Sequence, residues 1–414
     1  MFRRITVLLI VVFMCFLMCS CTDEGSKEAT QSTQPVPAYK VGVMLVADKE
    51  DSSSIEHTDA IGQVAQQLKA ENIQTVFKYS VEADESCYDT AKQLVDEGCK
   101  IVFSNSKKHQ EFIEKAADEF ADVEFVVFGG DTAKTAGIDN LHNAYTDIYQ
   151  ARYVCGVVAG LKIKDLMRND KLSNSNYDAD KNIKIGYVGT LPSSEVVSSY
   201  SGFYLGVKSI CKDVAMSVQY TNKQSDKKAE KETADALISQ GCVIIAQHNV
   251  TTAVSDAVNL ANKSGKVCYC VGFGSDMSKI APNGALVSAK HNWEVCYKDI
   301  ITLCKNGDKI PTDWIGGYDK EAVGTTELTD NCSDKAFDEV EKTSKALATN
   351  ETFVFDTSTF TSGGKMLKSA YAIDTDGDDI PDKHQTIFDG AFHESYFRSA
   401  PYFSLDIDGI TVLN

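Results

Sequence analysis

Between Lys40 and Leu303 the chain alternates two textures of apolar and polar positions. Short β-branched runs, such as those opening "KVGVMLVADKED" (40–51) and "VEFVVFGGD" (123–131), alternate with longer stretches whose apolar residues recur near every third or fourth position. "YDTAKQLVDEGC" (88–99) and "KETADALISQGC" (231–242) are of the second kind, and each meets a glycine where a helix end favours a left-handed cap. The first texture predicts strands and the second amphipathic helices, in the order strand, helix, strand, helix, strand.

The pattern occurs twice. "KVGVMLVADKED" aligns with "KIGYVGTLPSSE" (184–195) at an offset of 184 − 40 = 144. "AKQLVDEGCKIVFSNS" (91–106) aligns with "ADALISQGCVIIAQHN" (234–249) at 143, and Asp131 pairs with Asp276 of "CVGFGSD" (270–276) at 145. Strands alternating with helices imply parallel sheets with right-handed crossovers, so the expected fold class is α/β, with two doubly wound Rossmann-like lobes. After the third strand of each copy, "NLHNAYTDIYQARYVCGVVAG" (140–160) and "GALVSAKHNWEVCYKDIITLC" (284–304) run from an extended piece into a helix, and there the chain crosses between lobes. Strand ends from both lobes then face one cleft, which hinge closure can shut around a ligand. The boundaries expected are 40–147 with 290–312 for one lobe and 148–289 with 313–345 for the other. Residues 346–414 are left as a small β-rich C-terminal extension, marked by strand-like runs such as "YFSLDIDGITVL" (402–413).

The N-terminus has a different texture. Arg3 and Arg4 precede an apolar run, Ile5 to Leu17, that falls short of the ~20 residues of a spanning helix and lacks stop-transfer charges. A cleaved secretory signal over 1–20 is expected. Met18-Cys19-Ser20-Cys21 resembles a bacterial lipobox with Cys21 as the lipidated residue; Cys19 is the weaker alternative, because Met18 would stand where a small residue is wanted. The Ser-, Thr-, Gln-, Glu- and Pro-rich residues that follow read as a tether over 21–39. The protein is thus expected on the extracytoplasmic face of a bacterial cell membrane, held there by lipid.

Composition narrows the partners. The chain has 414 residues, 43% hydrophobic and 24% charged, which suits a soluble two-domain body. A net charge of −18 argues against nucleic acid and against an electrostatic grip on anionic lipid. Thirteen cysteines would suggest disulfides in an exported chain, but Cys99, Cys242, Cys268 and Cys270 lie in or beside strand runs. Cys155, Cys296 and Cys304 sit at helical spacing among apolar residues, so the thiols are expected to be core residues and largely reduced.

The repeat places Asp51 to Ser54 and Pro192 to Glu195 after the first strands, Ser104 to Ser106 and Gln247 to Asn249 after the second, and Asp131 and Asp276 after the third. That lining is polar, with carboxylates but no arginine cluster, and suits a neutral ligand with hydroxyls and ring nitrogens. Either aspartate after the third strands can instead cap a helix. Trp293 begins the second crossing helix and Tyr145 holds a near-equivalent place in the first; an aromatic there can stack on a flat base. The ligand set expected is Asp51, Ser54, Asn105, Ser106, Tyr145, Glu195, Gln247, His248, Asn249, Asp276 and Trp293.

"YQARYVCGVVAGLK", "KIGYVGTLPSSEVVSSYSGFYLGVKS", "CVIIAQHN", "GFGSDMSKIAP" and "HNWEVCYKDI" resemble the basic membrane protein family of substrate-binding lipoproteins, which includes the purine nucleoside receptors. The likeness runs from about Lys40 to Asn331. It implies a type I periplasmic-binding fold that delivers a purine nucleoside or base to an ABC transporter permease, without cofactor, metal or catalysis. By the same resemblance Asp276 takes hydrogen bonds from base or sugar, Asn105 and Ser106 line the first lobe, and Gln247 to Asn249 the second. One departure is Ser54, which stands where that branch carries a stacking aromatic. A sensor of the same fold, reporting a sugar or other small neutral ligand to a membrane partner, is the alternative.

"DTDGDDIPD" (374–382) has the alternating acidic pattern of calcium loops but lacks the closing glutamate of an EF-hand, and is expected as a solvated acidic turn. There is no G-x-S-x-G elbow, HExxH or phosphate-binding glycine loop.

Overall fold

The computed structural model describes residues 38–370, 373–378 and 380–414. The signal expected over 1–20, the Cys21 anchor and the tether up to residue 37 lie outside the described residues.

In chain order the first copy of the repeat gives β1 (Tyr39–Met44), α1 (Ser52–Gln67), β2 (Ile73–Lys78), α2 (Glu85–Asp96), β3 (Ile101–Ser104), α3 (Gln110–Glu119), β4 (Glu124–Phe128), the short α4 (Ala133–Ala136) and β5 (Leu141–Thr146). The second gives α5 (Ile148–Arg168), β6 (Ile183–Gly189), α6 (Ser194–Ile210), β7 (Val214–Tyr220), α7 (Lys227–Ser239), β8 (Ile244–Gln247), α8 (Ala253–Lys263), β9 (Tyr269–Phe273) and β10 (Ala285–His291). Then come α9 (Trp293–Asn306), β11 (Asp313–Gly316), β12 (Val323–Thr325), α10 (Ala336–Ala348), β13 (Ile387–Phe388), β14 (Ala391–Phe392) and β15 (Ile410–Val412).

Local chemistry sets these boundaries. Asp51, Asp84 and Asp226 cap α1, α2 and α7 by accepting from main-chain N–H groups two or three residues on. Gly98 (φ +87°) and Gly241 (φ +92°) follow α2 and α7 in the left-handed region, as the paired "EGC" and "QGC" signals predict.

The strands form one sheet in the order β11-β5-β4-β3-β1-β2 and another in the order β12-β10-β9-β8-β6-β7-β15. The repeated strands hold the same order in both, and every neighbouring pair is parallel except β10 with β12. Alternate residues pack on opposite faces of the first sheet. Ile101 and Phe103 join α1, α9 and their neighbours, whereas Val102 joins α2 and α3. The second sheet repeats the plan, with Tyr187 on the α5–α6 side and Val188 on the α7–α8 side. α5 and α6 pack with main chains in contact, because a Cβ on Gly156 would overlap the Phe203 carbonyl oxygen and one on Gly206 the Tyr153 carbonyl oxygen.

The chain crosses between the sheets at Asp147 into α5, at Asn292 into α9, and at Gly317 to Ala322 between β11 and β12. The first two crossings fall where the repeat puts them. β11, expected with the second lobe, instead pairs with β5 in the first sheet. The expectation of a β-rich extension is also corrected. Past α10 the described chain is mostly irregular, with a two-residue hairpin of β13 and β14 and one added strand, β15, beside β7. This segment straps both halves of the fold. Ser399 donates to Asp313 and Lys134 to the Phe397 carbonyl, whereas Asn414 bonds the main chain of Tyr220.

Ten cysteines among the described residues are free, and eight of them are buried. Cys268 and Cys270 point into the same apolar cluster, as spacing on one strand requires. No described helix is long and apolar enough to cross a membrane.

Candidate functional site

Where the crossing segments meet the strand ends, rings and polar groups collect between the two sheets. Trp293, at the start of α9, is 6% exposed. It lies near-parallel to His291 (4.3 Å between centroids, 14°) and to His57 of α1 (5.1 Å, 21°), with Phe128 edge-on at 4.9 Å. Tyr145, ending β5, meets Trp293 at 6.0 Å and His291 at 5.8 Å. Phe273, ending β9, joins His291 to His248, at 5.5 Å from each.

Hydrogen bonds fix the imidazoles. His57 Nδ1 is 2.9 Å from the Tyr297 hydroxyl and His291 Nδ1 is 2.6 Å from Thr146 Oγ1. Burial pushes both rings down to about 3, so they are neutral near pH 7. Burial also lowers His248, whose Nε2 lies 3.4 Å from Glu195; that carboxylate faces the Tyr145 hydroxyl as well.

The second lobe adds a group that the sequence reading passed over. Arg152, on α5, is fully buried. Its Nη1 donates to the Gln247 carbonyl at 2.8 Å and more weakly to Gly272, and its guanidinium lies 4.0 Å over the Phe273 ring. Its Nε and Nη2 have no partner, and no carboxylate among the described residues forms an ion pair with it. Beside it, Gln247 donates to the carbonyls of Asn249 and Thr251 but leaves Oε1 unpartnered, and both amide atoms of Asn249 are buried and unpartnered. Buried polar atoms are nearly always satisfied, so this concentration at the ends of β8 and β9 marks a surface built to meet something else.

The first lobe's expected residues are used differently. Asp51 is occupied as the cap of α1, and Ser54 is buried with its hydroxyl donating to the Ala47 carbonyl. Asn105 Oδ1 accepts from Val46 N, and Ser106 Oγ accepts from Lys108 N. Asp131 neither caps nor opens to the cleft, because it is 3% exposed and ion-paired with Lys107 and with Arg398 of the C-terminal segment. Its repeat partner Asp276 is exposed, and both its oxygens accept from Ser278. The structure therefore brings together Tyr145, Glu195, Gln247, His248, Asn249 and Trp293, and leaves Asp51, Ser54, Asn105, Ser106 and Asp276 in local structural bonds. His57, His291, Phe128, Phe273 and Arg152 complete the cluster.

The two sheets' elements touch at the rim. A Cβ on Gly274, after β9, would collide with Glu56 Oε1 of α1. Burial, with the charge of Asp51, pushes the Glu56 carboxyl up to about 7. Around this rim, Glu56, Asp59, Gly274, Lys290 and Trp293 line an opening of about 160 Å3. The arrangement can stack a flat ring and exchange hydrogen bonds with it. On the C-terminal segment, Asp374, Asp376 and Asp382 bring carboxylate oxygens within 4.8 Å of one another, and Arg398 pairs with Asp374 at 3.1 Å.

A family model described as ABC transporter substrate-binding protein PnrA-like matches residues 38–356. A purine-binding protein of Brucella abortus is 30% identical over 279 residues, covering 67% of this chain and 72% of that one. Basic membrane protein A2 of Borrelia garinii is 23% identical over 283 residues, covering 68% and 75%. In structure, a solute-binding protein of an ABC transporter system from Conexibacter woesei superposes with a TM-score of 0.59 at 19% identity, over 76% of this chain and 98% of that chain. At that identity it shows the fold, an α/β architecture of the periplasmic solute-binding kind.

Proposed function

Because the chain belongs to the PnrA-like family of ABC transporter substrate-binding proteins, which are solute receptors and not enzymes, we propose that its ligand is a purine nucleoside or nucleobase, held between the two sheets. Loaded protein then hands that ligand to a membrane permease on the extracytoplasmic side. Lipid on Cys21 would keep the receptor beside the permease.

The observation that carries this reading is the pairing of flat rings with unsatisfied polar atoms. Trp293, Tyr145 and Phe273 offer faces and edges to a heterocycle. Arg152 and Asn249 offer donors, and Gln247 and Asn249 offer acceptors, to ring nitrogens, carbonyls or ribose hydroxyls. The relative named for purine binding supports the same class. Ser54 carries no ring, so stacking comes from the crossing segments.

Calorimetric titration with adenosine, guanosine, inosine, adenine and ribose tests the proposal. A purine should bind with a dissociation constant far below that of ribose. Ribose binding as tightly as any purine would overturn the purine assignment and favour the sugar sensor. For the anchor, mass spectrometry of the N-terminal peptide from membranes should find diacylglycerol on Cys21, and an unmodified N-terminus in the soluble fraction would refute it.

A further inference from the structure

A second cavity, of about 210 Å3, lies where the C-terminal segment closes over the crossings between the sheets. The start of α5 and the end of β11 form one wall, and the chain after α10 with residues 392–396 forms the other. Residues 392–396 of its lining lie past residue 356, where the match to the family model ends.

The lining has one sign of charge and one kind of apolar surface. Asp147 and Asp319 contribute carboxylates and Glu394 a carboxyl that burial keeps protonated near pH 7, and no lysine or arginine lines the space. Asp147 accepts from Ser395 at 2.5 Å and forms no ion pair among the described residues, although the charge of Lys320, bonded to the Ile315 carbonyl, reaches it. Burial pushes its carboxyl up to about 6 and that of Glu394 up to about 8. Glu394 is 1% exposed, and its oxygens, near Ser198 and the main chain of Tyr402 and Phe403, meet no donor in hydrogen-bonding geometry. Around these acids stand aromatic rings. Tyr149 stacks on Phe355 at 5.2 Å, Phe355 meets Phe392 at 6.3 Å, and Phe353 meets His393 at 5.4 Å. Tyr396, 67% exposed, also lines the cavity.

We propose that this cavity is a binding site for a small organic cation, an ammonium compound of choline size or smaller, separate from the ligand cleft. Carboxylates supply the counter-charge, and ring faces attract an alkylated ammonium that has shed part of its water. An inorganic cation would gain little from the rings, and an anion would meet only like charge. The volume lies below the range of roughly 300–1,000 Å3 for drug-sized sites, which limits the occupant to a few heavy atoms. Since Asp147 and Asp319 belong to the crossings and Tyr396 to the strap, the bound cation ties the two together.

Calorimetry of the purified protein with choline and with ethanolamine, at matched ionic strength, tests this. Saturable binding of at least one is expected, with no binding of 3,3-dimethylbutan-1-ol, the neutral analogue of choline. Asp147→Asn and Tyr396→Ala should each weaken it, the first by roughly tenfold or more. Trp293→Ala and saturation of the cleft with a purine should leave it in place, which separates this site from the proposed nucleoside site. Thermal melts of each variant show whether it is folded, and exposed Tyr396 gives a variant that does not disturb the core. No saturable binding, equal binding of the neutral analogue, or binding lost with Trp293→Ala and kept in both cavity variants would each overturn the proposal.

Discussion

The two sheets repeat one strand order, yet matching strand ends have taken opposite chemistry. In the first sheet Asn105 is bonded to Val46 and Ser106 to Lys108, and Asp131 is paired through Oδ2 with Lys107 and with Arg398 of the C-terminal segment, its Oδ1 buried without a partner. In the second, the positions 143 residues on are the buried His248, which faces Tyr187 and Glu195, and the buried Asn249, whose amide atoms have no partner. The first lobe offers His57 and Phe128 instead, against the Trp293 ring. Duplication thus kept the scaffold, whose register the hydrophobic pattern fixes, and freed the strand ends to divide the work. On the proposed reading, one half covers the ligand and the other recognises it.

The largest effect should come from the ring that both halves share. Trp293→Ala removes a side chain packed on His57, Phe128, Tyr145 and His291, and should cost about 3–5 kcal/mol of stability by chemical denaturation, besides weakening purine binding. A loss below about 1 kcal/mol would mean that the ring is not the keystone of the cluster.

A smaller effect separates the cleft from the strap that covers Asp131. The buried cleft imidazoles stay neutral in the fold while their unfolded counterparts titrate near 6.5, so they make stability rise with pH up to about 7.5 and add little slope above that. Glu394, raised to about 8 by burial, stays protonated in the fold while its unfolded counterpart ionises near 4.5, so folding stability falls as pH rises between those values. From pH 6.5 to 8 that contributes a loss of about 2 kcal/mol, which Glu394→Gln should largely remove. A wild-type slope unchanged in this variant would show that the carboxyl is solvated.

The smallest effect is expected at Asp276. It is exposed and bonded only to Ser278, so Asp276→Ala should lower stability by at most about 1 kcal/mol, the scale of a local cap, and leave purine affinity unchanged. A tenfold loss of affinity would restore Asp276 to the site and undo the division drawn above.

Much of this was legible because β-branched runs, helical spacing and glycine caps are local signals, and the repeat supplied each twice. Tyr145 and Trp293 could be placed for the same reason, since both follow a third strand into a crossing helix. The rest depends on contacts that sequence spacing does not encode. His57 reaches Trp293 across 236 positions (293 − 57). Arg152 left one local trace, the one cation among residues 148–161 of a helix buried along much of its length, and that signal could have marked it. β11 is four residues long and joins the first sheet by pairing far back with β5, which no periodicity announces. The alternation in "YFSLDIDGITVL" mimics a strand, but most of that run is irregular chain, where Tyr402 is tied to His393 and Tyr204 bonds the Asp408 carbonyl. Asp276 drew attention by its place in the repeat and by the family resemblance, and nothing in its spacing revealed that Ser278 would bond both its oxygens.

Calorimetry of Asn249→Ala beside Asn105→Ala, titrated with whichever purine binds the wild type best, tests the division of work most directly. Asn249 has both amide atoms buried and unpartnered, so its removal should leave stability unchanged or improved by about 1 kcal/mol while weakening binding roughly tenfold or more. Asn105 supports Val46 N, so its removal should lower stability by about 0.5–1.5 kcal/mol and change affinity less than about twofold. Equal losses of affinity in the two variants, or a greater loss in Asn105→Ala, would contradict the account.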